Sequence, residues 1–116
     1  ECLFEDGLIK NSEQLGVVFH DYLENIKNRF PDQLHWIEGE GLLAALIFKD
    51  KLGNPLSSLC DSLAELCMQR GLLVVHTGRE SIKLAPPLSI SKEALLEGLK
   101  VLEESINDIV SNDNDY

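Results

Sequence analysis

One stretch has the residue types and spacing to hold a small anion: Arg79-Glu80-Ser81-Ile82-Lys83-Leu84, running into Ala85-Pro86-Pro87. In an extended strand alternate side chains share a face, so Arg79, Ser81 and Lys83 point one way while Ile82 and Leu84 point into the core. The chain has 10 Lys and Arg against 20 Asp and Glu, with a formal net charge of −10, so a cationic strand face is a local exception. Such a face can hold a carboxylate through charge-assisted hydrogen bonds. A solvated strand face accounts for the same residues equally well.

Other reactive residue types are scattered. His20 falls beside the apolar face of a helical pattern, and His35 and His76 fall near strand ends, with no paired carboxylates to make ligand sets. Glu38 and Glu40 flank Gly39 and read as exposed acids on a strand edge rather than a general acid/base pair. Gly39-Glu40-Gly41 lacks the third glycine and the following helix of a dinucleotide fingerprint, which makes it a tight turn. No phosphate-binding P-loop and no nucleophile elbow is present. Cys2, Cys60 and Cys67 form no metal-type spacing; Cys60 and Cys67 lie within an apolar helical pattern, where free cysteine packs as a small hydrophobe. A reducing cytoplasm is the setting they imply.

Size and charge narrow the class further. A chain of 116 residues suits one compact domain, and 44% hydrophobic residues is ordinary for a globular protein. The acidic balance argues against nucleic acid and against an anionic membrane surface as partners. Nothing approaches the length of apolar sequence that spans a membrane, and ECLFEDGLIK is not a secretory signal. The start at Glu rather than Met suggests a piece of something longer, and SNDNDY reads as a polar tail, which divides the chain into a domain over 1–110 and a tail over 111–116.

The elements that must position the cationic stretch follow from periodicity. Leu15, Val18, Phe19, Tyr22, Ile26 and Phe30 recur at helical steps from about Ser12 to Arg29, with Asn11 as N-cap, Gln14 as its capping-box partner and Pro31 as the stop. Gly16 inside that helix implies close packing against a neighbour. Residues 34–38 and 42–48 read as strands around the glycine turn, the second central in a sheet. Asn54 as N-cap and Pro55 at the first helical position open a second helix that Gly71 closes, with Leu56, Leu59, Cys60, Leu63, Leu66 and Cys67 inward. Residues 72–76 and 80–85 are short strands, and Ser91 caps a last helix lined by Leu95, Leu99, Leu102, Ile106 and Ile109. The predicted fold is α+β: a small, mainly antiparallel sheet with three helices packed chiefly on one face.

The stretches GEGLLAALIF and RGLLVVHTGRESIKLAPPLSISKEALLEGLKVLEESI resemble the C-terminal segment of class III pyridoxal-phosphate-dependent aminotransferases, the group that includes 4-aminobutyrate, ornithine and acetylornithine aminotransferases. That segment has a strand opening G-x-G-L, a helix ending R-G-L-L, a short strand, a turn, and I-R-L-x-P-P-L before the final helix. Gly39, Gly41, Leu42, Arg70, Gly71, Leu72, Leu73, Ile82, Leu84, Pro86, Pro87, Leu88 and Ile90 fit it in order, and Gly16 and Leu23 fit the preceding helix.

The resemblance implies the small C-terminal domain of a fold-type-I enzyme that moves an amino group from an amino acid, ω-amino acids being typical donors of the family, to a 2-oxo acid. Its partners would be its own large domain and, when intact, a second subunit in a homodimer. Pyridoxal 5'-phosphate would serve the intact enzyme. The lysine that carries it would lie in the large domain, so this chain alone would hold no catalytic residue, bind no cofactor and be inactive. The family's substrate-gripping arginine falls on Lys83, with Arg79 as a second candidate for the carboxylate. An independent acidic α+β module for interaction or ligand sensing is the other reading of the same residues.

Overall fold

The structure is a computed structural model that describes the backbone of residues 2–72 and 74–112 and the side chains of residues 10–72 and 74–111; Glu1, Leu73 and residues 113–116 lie outside it. In chain order its elements are α1 (Cys2–Arg29), β1 (Leu34–Glu38), β2 (Ala44–Phe48), α2 (Ser57–Gln69), β3 (Val75–Thr77), β4 (Ser81–Leu84) and α3 (Lys92–Asn112). The four strands form one antiparallel sheet in the order β1-β2-β4-β3, so β2 is central as its apolar run required. The α+β expectation holds: α1 and α2 lie on one face of the sheet, and α3 packs across those two helices.

The core lies between the sheet and this helical layer. Phe19, Leu23 and Ile26 of α1, Leu59 and Leu63 of α2, and Leu102 and Ile106 of α3 meet Leu46, Phe48 and Ile82 of the sheet, all at 0–1% exposure. Burial at this depth contributes roughly 1.5–3 kcal/mol per large apolar side chain. Ile109, expected in that row, is half-buried at its end.

Several boundaries differ from the sequence reading. Helix α1 continues back to Cys2 instead of starting at Ser12. Asn11 does not cap it: its amide donates to the carbonyls of Leu88 and Ile90 at 2.6 and 3.1 Å, tying α1 to the segment before α3. Helix α2 begins at Ser57, with Leu56 at the cap position and no side-chain cap. Asn54 instead donates to the Asp50 carboxylate in the 50–54 loop, while Pro55 bridges Lys49 and the Leu56 N–H donates to the Phe48 carbonyl at 3.0 Å. Those pairings hold 55–56 extended and delay the helix. The expected strands 42–48, 72–76 and 80–85 shorten to β2, β3 and β4, with Leu73 outside the described residues.

Two termini behave as the sequence implied. Gly71 has φ +89°, and the Gly71 and Leu72 N–H groups donate back to Met68 and Cys67, closing α2 by a Schellman arrangement. The Ser91 hydroxyl accepts from the Ala94 N–H at 3.1 Å and caps α3. Helix α3 runs on to Asn112, two residues into the expected tail.

Candidate functional site

The face of the sheet turned away from the helices is covered by no described element. Register assigns its side chains, because directly opposed residues project from the same side. One rung reads Glu38, Ala45, Lys83, Val75 across β1, β2, β4 and β3, and the next reads Trp36, Ile47, Ser81, Thr77. Leu46, Ile82 and Leu84 project the other way and are buried. Trp36 is 53% exposed and Val75 52%, with Leu43 at 49% beside the start of β2. The result is a largely apolar sheet face that carries Glu38 and Lys83, with Lys27 Nζ of α1 reaching the Trp36 ring at its β1 edge, 5.5 Å from the centroid.

Lys83 is exposed on the inner strand β4 between Ala45 and Val75. Among the described residues it makes no ion pair and no side-chain hydrogen bond. Its small and branched neighbours offer no competing carboxylate; Glu38 lies two strands away on the same rung, about 10 Å off at the usual strand spacing. An unpartnered ammonium on an apolar face can take a carboxylate from outside the domain.

Arg79 departs from the expectation. It sits in the turn at 78–80, before β4 begins, so strand alternation does not aim it onto the face of Ser81 and Lys83. Its carbonyl accepts from the Ser57 hydroxyl, which ties the turn to the start of α2, and its side chain is exposed. Ser81 and Lys83 are therefore brought together as read, and Arg79 is not fixed beside them.

The glycine turn packs as its residues implied. A Cβ on Gly16 would stand 2.8 Å from Gly41 Cα, so α1 and the turn touch backbone to backbone. Gly39 has φ +116° and Gly41 φ +60°, conformations that favour glycine. The histidines stay apart: His35 is exposed, His20 has its Nε2 buried on α1, and His76 Nδ1 meets Asp61 Oδ1 at 2.7 Å. No group of three His, Cys, Asp or Glu among the described residues could hold a metal ion. Cys60 and Cys67 are buried and free, and burial pushes the Cys60 thiol up to about 12.

Arg70 has a role that sequence reasoning missed. It donates to the Ser105 hydroxyl at 3.2 Å and the Asp108 carboxylate at 2.6 Å, joining the end of α2 to α3 around a fully buried serine. Glu103 likewise accepts from Tyr22 and Arg29 and joins α3 to α1. No local pattern marks such pairings, since the partners lie 35 or more residues apart.

The structure is thus an α+β domain with helices on one face of an antiparallel sheet and the exposed Lys83 on the other. Residues 1–106 match the family described as Aminotransferase class-III. The chain is 36% identical over 102 residues to the mitochondrial ornithine aminotransferase of Oryza sativa subsp. japonica, covering 86% of this chain and 21% of that protein. It is 34% identical over 97 residues to the mitochondrial acetylornithine aminotransferase of Debaryomyces hansenii, covering 84% and 20%. The crystal structure of acetylornithine aminotransferase from Elizabethkingia anophelis superposes with a TM-score of 0.80 at 32% identity, over 91% of this chain and 25% of that one. The chain belongs to the class III aminotransferase family. It spans about a fifth of the length of the relatives it matches.

Proposed function

We propose that this chain is the small C-terminal domain of a pyridoxal-phosphate-dependent aminotransferase that moves an amino group from an ω-amino acid of the ornithine or acetylornithine type to a 2-oxo acid. The observation that carries the reading is the free lysine on the bare sheet face of a class III domain, at the position where the family resemblance has a carboxylate-gripping arginine. The resemblance to enzymes named as ornithine and acetylornithine aminotransferases supports the substrate class.

The bare face would be closed by the enzyme's large domain. Its exposed Trp36, Leu43 and Val75 suit an intramolecular interface, and Lys83 would then sit in a partly desolvated pocket, where a charged contact strengthens. Lysine presents a compact charge on a flexible stem rather than the parallel N–H fork of arginine, so it would orient a carboxylate less rigidly. Arg79 could reach the same substrate from its turn if the interface draws it in. A homodimer of the intact enzyme and a cytoplasmic setting complete the reading; the unpaired thiols of Cys60 and Cys67 fit a reducing compartment.

The face around Lys83 does not by itself fit the cofactor. The face around Lys83 holds one cation, two hydroxyls and apolar side chains, with no cradle of backbone N–H groups for a phosphate. The cofactor, which supplies the electron sink of transamination, would be held by the large domain. This domain's share would be to bind and orient the carboxylate and to exclude water.

The test is a transamination assay of the full-length enzyme with ornithine, acetylornithine and 4-aminobutyrate as donors and 2-oxoglutarate or pyruvate as acceptors. Turnover with at least one ω-amino donor is expected. Absence of turnover with every pair, in a protein that binds pyridoxal phosphate, would contradict the reading.

A further inference from the structure

Lysine leaves a chemical gap that the sheet can fill. A guanidinium donates to both oxygens of a carboxylate, whereas one ammonium on a flexible stem fixes only one of them firmly. The second oxygen needs another donor on the same face. Two stand there: Ser81, two residues before Lys83 on β4, and Thr77, directly opposite Ser81 on β3. Among the described residues neither hydroxyl makes a hydrogen bond, and both are half-buried.

The spacing fits. Residues two apart on a strand lie about 6.8 Å from each other, and opposed side chains start about 5 Å apart. A hydrogen bond to a carboxylate spans about 2.7 Å on either side of a group whose oxygens lie along the strand. A carboxylate lying over β4 between the two rungs therefore meets the Lys83 ammonium at one end and the Ser81–Thr77 pair at the other. Ala45 and Val75, the neighbours of Lys83, are too small or too apolar to intrude.

We propose that the Ser81 and Thr77 hydroxyls form the second half of a split carboxylate clamp with Lys83, making their rung a specificity-determining element for the 2-oxo acid. This rests on the reading of Lys83 given above. Because the hydroxyls belong to a rigid rung and the ammonium to a flexible stem, the hydroxyls set the orientation of the carboxylate and the lysine supplies its charge.

Steady-state kinetics of the full-length enzyme with 2-oxoglutarate as the probe test it. The combined Ser81→Ala and Thr77→Val variant is expected to raise KM for 2-oxoglutarate about three- to tenfold, with kcat falling less. In a Lys83→Arg background, where the guanidinium reaches both oxygens, the same pair of substitutions is expected to shift KM by no more than about twofold. An unchanged KM, or an equal loss in both backgrounds, would overturn the clamp. The Lys83→Ala variant separates the two ideas. If it raises KM while the hydroxyl variant does not, the clamp alone fails; if it too leaves KM unchanged, the reading of Lys83 fails with it. Thermal unfolding followed by circular dichroism establishes that each variant is folded.

Discussion

Gly16 is buried on α1 because nothing larger fits between that helix and the backbone of Gly41. The obstacle is main chain, held by the turn between β1 and β2, so a methyl group must push two elements apart. Gly16→Ala is expected to destabilise the domain by about 1–3 kcal/mol despite its gain in helix propensity, read as a lowered midpoint in urea. A stabilised variant would contradict the close approach. This contact was legible in the sequence, since an interior helical glycine is costly unless it is used. The environment of Lys83 was half legible: alternation put Ser81 beside it, but Thr77 enters only through the pairing of β3 with β4. Alternation does not carry to Arg79, because β4 begins two residues after it, at Ser81.

At the scale of elements, α2 shows what periodicity reads well and what it misses. Its buried stripe of Leu59, Cys60, Leu63 and Cys67 follows the helical repeat. Its start does not follow the Asn-Pro signal, because Asp50 and the Phe48 carbonyl claim the residues that would have opened it. Asn11 misled in the same way, its amide serving carbonyls 77 and 79 residues away. The buried face of α2 also sets an alkaline limit. Burial raises the Cys60 thiol from 9.0 to about 12, and Asp61 and Glu80 add to the shift. Because the folded value lies above the unfolded one, the stability this group contributes is complete below pH 9 and is lost as pH climbs towards 12. The Tyr22 phenol, raised chiefly by burial and then by Glu103, acts in the same direction. Under reducing conditions, urea midpoints are expected to fall from about pH 9 upward, and Cys60→Ala is expected to flatten that slope whatever its absolute stability. An identical slope in the variant would show that the thiol does not titrate with unfolding.

For the whole molecule, the helices shield one face of the sheet and leave the other bare. The chain as it stands, 116 residues with Trp36, Leu43 and Val75 exposed on that face, is expected to self-associate. Its net charge of −10 opposes this, so added salt should promote it. Sedimentation equilibrium should give a mass that rises with concentration and returns towards the monomer in Val75→Glu. A strict monomer at every concentration would mean that the face is not an interface. In the intact enzyme the same face would enclose the substrate, and Lys83 would be its anion-holding charge. The most direct measurement is therefore the KM of the full-length enzyme for its 2-oxo acid after Lys83→Ala and Lys83→Arg. Loss of a charged contact costs roughly 1.5–3 kcal/mol, so Lys83→Ala should raise KM by about tenfold or more, and Lys83→Arg should keep it near the starting value. A KM unchanged by Lys83→Ala would contradict the assignment.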